Sequence, residues 1–225
     1  GREGPNNILE KYQGFLQTDG YSTYEKIGAK QGIVHLGCMA HARRYFMEAR
    51  HSDITLADHA LKMFQQLYAI EARIKEQALE GADKLRLRAG EAVPVLKAMK
   101  QWLEHEYVKL RPTSPIAKAM AYSLPRMDML TLYTTDARLN IDNNPVENAI
   151  RPIAIGRKNY LFAGSHEAAQ RAAMMYSFFN TCRLHNINPY EWLKDVLERM
   201  HLYTSSNLHE LLPQNWAKIK KEEMG

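Results

Sequence analysis

The sequence predicts an α/β fold that is interrupted by a large all-helical insertion. Phe15 to Thr18 is a short apolar run that ends at an Asp-Gly turn, and Ile33 to Leu36 is β-branched and bounded by glycines. Helical spacing of apolar residues around these runs gives an αβαβα order up to about Arg50. From about Asp53 to Leu132 the spacing is helical throughout, which predicts the insertion.

Three short helices are predicted around the two strands. Asn6 or Asn7 can cap a helix that ends near Lys11. Tyr21 to Ile27 predicts a second helix, and Ala40 to Arg50 returns to helical character after the second strand. These elements complete the first part of the α/β core.

A further helix is predicted after the insertion. Leu139 to Ile141 first predicts a brief extended stretch. Asn144 is a good N-cap, Pro145 fits the first helical position, and Glu147 falls at the third. Pro152 is expected to disturb this helix soon afterwards.

The remaining segments follow the same local signals. Ile155 to Phe162 predicts an extended or hairpin-like segment. Ser165 can cap a long helix to about His185, and Asn188-Pro189 starts another to about Met200. We expect four regions: a first core part at 1–52, the helical insertion at 53–135, a second core part at 136–200 and a helical tail at 201–225.

Composition indicates an ordinary globular protein, with 45% hydrophobic and 24% charged residues in 225. No apolar run approaches the roughly 18 residues of a membrane span, so we expect no membrane association. Two cysteines cannot make a disulfide framework, which favours reduced thiols in the cytoplasm. A net charge of +5 and a pI near 9.1 are compatible with a polyanionic partner without requiring one.

Two acidic residues are candidates for chemistry, although each also has a structural interpretation. Asp19 lies at the end of the first strand, where Asp19-Gly20 is also a common turn former. Glu147 lies in the first turn of a helix, where Asn144 and Glu147 also match a capping box. Taken alone, the structural interpretation of each acid is favoured, and the surrounding residues decide between them.

Those surroundings resemble the transposases of insertion-sequence family sixty-six. Asp142 to Pro152, followed by Gly156 to Ser165, resembles the signature that closes their catalytic domain. Leu16 to Tyr21 resembles the strand with their second catalytic Asp, and Gly37 to Phe46 resembles the block after it. The similarity runs in order over nearly the whole chain, including the closing stretch Asn207 to Pro213.

The resemblance implies a ribonuclease-H-like (DDE-type) mixed sheet and three carboxylates that hold two Mg²⁺ or Mn²⁺ ions. Asp19 would be the second of these ligands and Glu147 the third. The first Asp and the first strands of the sheet are expected before residue 1, since Glu3 and Glu10 are the only acids among residues 1–13. We therefore expect the chain alone to be inactive.

The predicted function is DNA strand cleavage and strand transfer at the ends of a bacterial mobile element. A nuclease of ribonuclease-H type and a non-catalytic DNA-binding or assembly module, such as a fragment of a decayed element, are the alternatives. The expected partners are DNA, further copies of the chain and accessory proteins of the element. We expect a cytoplasmic protein that associates with the nucleoid when it is bound to DNA.

Several basic and amide side chains are candidates for contact with DNA phosphates, because cations near the scissile bond would neutralise backbone charge. The candidates are Arg151, Arg157, Lys158, Arg43, Arg44 and Asn144. A solvated surface role is the alternative for these cations, and turn closure is the alternative for Asn144. Tyr160 and Phe162 could stack on a base, although core packing is favoured.

Cys38 and His41 have the inner spacing of half a zinc site. Zinc needs about four ligands, and Cys182 with His185 is the one candidate partner pair in the sequence. The resemblance suggests instead that Cys38 and His41 help to pack the following helix beside the site. We favour this structural role over metal binding.

Overall fold

Helices form most of the secondary structure in the computed structural model of the chain, which describes residues 3–160 and 162–216. The strands are β1 (Gly14–Gln17) and β2 (Ile33–Leu36). The α-helices are α1 (Glu3–Ile8), α2 (Ser22–Gly28), α3 (Met39–Ala49), α4 (Ile54–Glu76), α5 (Gly81–Leu87), α6 (Val93–Tyr107), α7 (Pro115–Ser123), α8 (Met127–Thr131), α9 (Asn144–Asn159), α10 (His166–Leu184) and α11 (Pro189–Arg199). A π-helical turn covers Arg88–Ala92, and 3₁₀ turns cover Leu124–Arg126, Leu132–Thr134, Met200–Leu202 and Leu208–Leu211.

The chain divides into two compact units, Gly1–Asn144 and Pro145–Gly225, here called unit 1 and unit 2. The regions predicted at 1–52, 53–135, 136–200 and 201–225 stay a prediction. None of the described helices combines the length and apolar character that crossing a bilayer would require.

The strands β1 and β2 pair in parallel, with Gly14 opposite Ile33 and Gln17 opposite Leu36. Helix α2 forms the crossover that a parallel pair requires. The pairing continues past β1, because the Thr18 N–H donates to the Leu36 carbonyl oxygen over 3.1 Å. The sheet therefore holds the backbone up to the residue before Asp19.

The predicted ribonuclease-H-like mixed sheet is wrong, because the described part of the chain holds two parallel strands and is otherwise helical or irregular. One segment expected to be extended, Leu139 to Ile141, forms no strand. Its carbonyl groups are satisfied by isolated contacts, from the Arg88 side chain to Leu139 over 3.0 Å and from the Met39 N–H to Ile141 over 3.1 Å. These contacts replace the regular ladder that a strand would need.

The predicted extended segment from Ile155 is also wrong, since α9 continues through Pro152 to Asn159. Contacts with α10 support the helix on both sides of the proline. The Asn180 side chain donates to the Ala149 carbonyl oxygen over 2.9 Å, and the hydroxyls of Tyr160 and Tyr176 lie 3.0 Å apart. Packing of this kind can offset the backbone hydrogen bond that a proline removes. Leu161 lies outside the described residues.

Unit 1 is organised around one large apolar core. The core includes the buried faces of α3, α4, α6 and α7, and the rings of Phe46 and Phe64 lie 5.7 Å apart within it. Helix α4 begins at the predicted transition near Asp53, whose side chain accepts the Leu56 N–H. The buried residues of these helices recur at helical spacing, which is the pattern that predicted helices in this part of the sequence.

Unit 2 has a much smaller core, formed by Cys182, Ile187 and Trp192. The predicted caps of its two long helices are confirmed. The Ser165 side chain accepts the Ala168 N–H at the start of α10, and the Asn188 side chain caps α11 in the same way. Local hydrogen bonding thus defines the helix starts in a unit with few buried residues.

Candidate functional site

Asp19 lies just beyond β1 and is partly exposed. Its Oδ1 accepts the Tyr21 N–H over 3.0 Å, and Gly20 has a φ of 85°. These features close the Asp-Gly turn that the sequence suggested as an alternative role. The Oδ2 atom has no hydrogen-bond partner among the described residues, so the turn still leaves one carboxylate oxygen able to bind a ligand.

Tyr122 of α7 holds the backbone of Asp19 from the helical region. Its hydroxyl donates to the Asp19 carbonyl oxygen over 2.9 Å. The Tyr122 ring stacks on Tyr45 with centroids 4.2 Å apart, and the Arg126 guanidinium lies 4.3 Å from its centroid on the ring face. Burial raises the pKa of Tyr122, which keeps its hydroxyl a donor. No local pattern in the sequence could link Tyr122 to a residue so far upstream.

The residue before Asp19 is also fixed. Thr18 is buried, and its hydroxyl lies 2.8 Å from Nε2 of His35 on β2. Burial is the main cause that lowers the pKa of His35, with Arg126 acting in the same direction and Glu25 against it. The turn that contains Asp19 is therefore anchored on its sheet side as well as by Tyr122.

Asp142 is a buried carboxylate that the sequence did not single out for a structural role. It accepts the Tyr68 hydroxyl over 2.8 Å, the Asn144 N–H over 3.1 Å and the Asn144 side-chain amide over 2.8 Å. Burial and the hydrogen bond to Asp142 raise the pKa of Tyr68. Asn144 is accordingly the first residue of α9 and donates to Asp142 through its side-chain amide.

Arg88 supports the segment that leads to Asp142. It is fully buried, and its guanidinium forms two hydrogen bonds to Glu71, of 2.8 and 2.7 Å. It also donates to the carbonyl oxygens of Tyr133, Asp136 and Leu139. An arginine with this many acceptors orders a segment that has no strand or α-helix of its own.

Cys38 and His41 lie at the start of α3 and are both buried. The Cys38 sulfur accepts the Asn143 N–H over 3.4 Å, and burial raises the pKa of the thiol. Cys182 is buried in the core of unit 2. Within residues 3–160 and 162–216, no group of three or more His, Cys, Asp or Glu residues is arranged to hold a metal ion.

Glu147 and the basic residues after it lie on α9 and are exposed. Glu147, Arg151 and Lys158 are four and seven residues apart, and such spacing places them on one side of an α-helix. Arg157 points about 100° away from Lys158 around the helix axis. An extended segment would instead have placed Arg157 and Lys158 on opposite faces.

Arg43 and Asn144, two of the predicted DNA contacts, line one cleft beside α3 and α4 in unit 1. Lys62 and Gln65 of α4, which the sequence did not single out, line it as well. Arg44 is exposed on α3 outside this cleft. The structure therefore brings together some of the predicted contacts and adds two polar groups to them.

Comparison with known proteins identifies the class of protein to which these residues belong. Residues 1–171 match the family described as Transposase IS66 family, and residues 177–214 match the IS66 C-terminal element. The chain belongs to the IS66 family of transposases, and the resemblance predicted from its motifs is confirmed.

Three curated relatives come from Sinorhizobium fredii, and each is named only as an uncharacterized protein. The protein y4hP is 35% identical over 233 residues, which cover 96% of this chain and 42% of the relative. The proteins y4qI and y4jD are 32% and 31% identical, covering 92% and 96% of this chain and 40% and 43% of their own lengths. The chain thus spans about two fifths of these relatives. No solved structure matches it.

Proposed function

We propose that the chain supplies part of the catalytic site of a transposase that cleaves and joins DNA at the ends of a mobile element. The family membership supports this function at the level of the whole protein. The observation that carries the proposal is that the matched region contains both Asp19 and Glu147, with Asp19 leaving an open carboxylate oxygen at the end of β1.

Asp19 and Glu147 are proposed ligands for Mg²⁺ or Mn²⁺. Carboxylate oxygens are the donors that these hard cations prefer, and Asp19 fits because its Oδ2 has no partner among the described residues. A two-ion site in the complete domain would activate the attacking oxygen and stabilise the leaving oxygen. Because the resemblance implies a third acid, we expect the isolated chain to lack cleavage activity.

The neighbours of Asp19 would position it for this role. The hydrogen bond from Tyr122 and the pairing of Thr18 with Leu36 restrain the backbone on both sides of the turn. A restrained ligand needs less reorganisation when it binds a cation or an incoming phosphate. Tyr122 is therefore a proposed positioning residue that acts through Asp19.

DNA is the proposed partner, and exposed cations would contact its phosphates. Arg151 and Lys158 share the side of α9 that carries Glu147, which supports contact near the reacting bond. Arg157, Arg43, Arg44 and Asn144 are proposed to add further backbone contacts. We propose that copies of the whole protein assemble on paired DNA ends in the cytoplasm, with accessory proteins of the element.

A protein that extends this chain to the length of its curated relatives is here called the longer protein. Its strand cleavage and strand transfer, measured with DNA that carries the ends of the element and with added Mg²⁺, test the proposal. Asp19→Asn and Glu147→Gln should each reduce the rate of both reactions more than about a hundredfold. Loss of a residue that only supports a metal ligand reduces activity by about a hundredfold at most. Asp128→Asn and Glu191→Gln are matched controls, since each removes an exposed acid from the first turn of another helix. Full cleavage by Asp19→Asn would exclude the proposed role.

A non-catalytic DNA-binding or assembly module is the second candidate function. The exposed cations of α3 and α9 favour it, because they can bind DNA whether or not a metal site forms. Under this alternative, the longer protein would bind DNA with no dependence on Mg²⁺. Asp19→Asn would then leave every measured property unchanged.

A further inference from the structure

The cleft that contains Arg43 has an accessible volume of about 740 Å³. Asp58, Lys62 and Gln65 of α4 are separated by four and three residues, so they lie on one side of that helix. Arg43 lines the cleft from α3, and the contact between Phe46 and Phe64 holds α3 and α4 together beneath the cleft. The polar walls of the cleft are therefore fixed by the core of unit 1.

The charges in this cleft are unequal. Arg43 and Lys62 form no ion pair with any described residue, and Gln65 forms no hydrogen bond with one. The single acid, Asp58, is already paired with Arg50 through hydrogen bonds of 2.7 and 3.2 Å. The cleft consequently presents two positive charges and an amide donor whose hydrogen-bonding capacity is unused.

The remaining polar groups set the orientation of a ligand. The Tyr68 hydroxyl already donates to Asp142, so it can offer a bound anion no proton. The side-chain amide of Asn144 directs one of its two N–H groups to Asp142. A ligand would accordingly be recognised mainly by Arg43, Lys62 and Gln65, all of which can donate to an anionic oxygen.

We propose that this cleft binds a phosphate of the DNA backbone, with Lys62 and Arg43 neutralising its charge and Gln65 donating to a phosphate oxygen. Guanidinium, ammonium and amide groups are the side chains that commonly contact phosphates without reading sequence. The inference rests on the proposed function for the choice of DNA as the polyanion. It adds Lys62 and Gln65, which the sequence did not single out, to the proposed DNA contacts.

Binding of the chain to a short fluorescent DNA duplex of arbitrary sequence, measured by anisotropy at several salt concentrations, tests the site. Lys62→Gln should weaken binding about fivefold at low salt, as expected for loss of one exposed ion pair. It should also lower the salt dependence of the logarithm of the binding constant by about 0.9. Lys62→Arg should retain both properties, because it keeps the charge.

Lys75→Gln is the matched control, since Lys75 is an exposed lysine of the same helix outside the cleft. Equal weakening by Lys62→Gln and Lys75→Gln, or no binding of the duplex at all, would overturn the proposal. Weakening that appears with one duplex sequence and not another would overturn the assignment to phosphate. Cleavage assays with Asp19→Asn test the catalytic function separately, so either proposal can fail alone.

Discussion

The two units hold their proposed site residues in different ways. In unit 1, the turn at Asp19 is bonded to β2 through Thr18 and to α7 through Tyr122, beside a large core. In unit 2, α9 has no buried residue, and Val146 and Ile150 beside Glu147 are 59% and 55% exposed. Hydrogen bonds to the sheet and to Tyr122 fix the turn of the first candidate ligand, whereas helix geometry and a few contacts with α10 fix the second.

This difference shows that two residues in one predicted site need not be equally ordered by their surroundings. Most helical stability in proteins comes from packing of an apolar face, and α9 has little of it. Substitutions should therefore affect unit 1 mainly through global unfolding and α9 mainly through local opening. The chain contains three tryptophans, and Trp102 reports on unit 1 while Trp192 and Trp216 report on unit 2.

The largest expected effect comes from Arg88→Ala. Removing this buried guanidinium leaves Glu71 without its partner and removes a donor from the carbonyl oxygens of Tyr133 and Leu139, which should cost unit 1 about 3–5 kcal/mol. Chemical denaturation followed by fluorine NMR of fluorotryptophan-labelled protein can report each unit separately. Arg86→Ala, which breaks the exposed ion pair with Asp83, should cost about 1 kcal/mol or less. Similar losses for the two variants would contradict the buried role of Arg88.

Gly20→Ala should have the next largest effect. Gly20 has a φ of 85°, and a Cβ there would lie 2.5 Å from the Tyr122 hydroxyl. The strained backbone and the displaced tyrosine should cost unit 1 about 1–3 kcal/mol. Gly81→Ala is a useful control, because Gly81 also has a positive φ but no atom lies within 4 Å of a Cβ added there. Loss of stability equal to that of Gly81→Ala would show that Tyr122 does not constrain the turn.

Asn180→Ala should have a smaller effect, confined to α9. The variant loses the hydrogen bond to the Ala149 carbonyl oxygen, worth about 0.5–1.5 kcal/mol. Faster amide hydrogen exchange within α9, with no change in α3 or α4, is the expected result. Gln170→Ala on the same helix is the control, since the Gln170 side chain contacts His166 within α10. Unchanged exchange in α9 would mean that this contact does not support the helix.

The smallest effect should be a pH dependence from His35. Burial lowers its pKa below the ordinary value of 6.5, so the unfolded chain binds more protons within the window between the two values. The contribution of His35 to the free energy of unfolding is fully present above about pH 6.5. It is lost as the pH falls through the lowered pKa of His35. Unit 1 should unfold more readily at about pH 5.5 than at about pH 7.5. His35→Gln should reduce this dependence and the exposed His51→Gln should not; an unaltered dependence in His35→Gln would contradict the assignment.

Local signals predicted much of the helical structure. The β-branched run from Ile33 to Leu36 is β2, and Ser165 and Asn188 cap the helices that the sequence assigned to them. These features depend on neighbouring residues, so a single sequence contains them. The arrangement of the whole sheet has no such local signal, because it depends on which distant segments pair.

The incorrect predictions have specific long-range causes. Ile155 to Phe162 contains β-branched and aromatic residues, yet its first five residues belong to α9, which Tyr176 and Asn180 of α10 support. Leu139 to Ile141 looks extended, but Arg88 satisfies its backbone instead of a neighbouring strand. Contacts across these separations leave no periodic pattern in the sequence.

The candidate site, like the fold, combines features with a local sequence signal and features that depend on distant residues. Asp19 could be located because strand ends and Asp-Gly turns have a local signature. Three features depend on tertiary packing: the support from Tyr122, the bonding of Asp142 to Tyr68, and the cleft that Lys62 and Arg43 both line. Motifs therefore indicated candidate ligands, and the structure added the residues that hold or accompany them.

The most direct test of the central claim is iron-mediated backbone cleavage of the longer protein bound to DNA with element ends. Fe²⁺ in place of Mg²⁺ reacts with added hydrogen peroxide to give hydroxyl radicals, which cut the chain beside the metal. If Asp19 and Glu147 share a metal site, cuts should appear near both residues. An excess of Mg²⁺ and the Asp19→Asn substitution should each suppress the cuts at both places. Cuts near one residue alone, or cuts that Asp19→Asn leaves unchanged, would contradict a shared site.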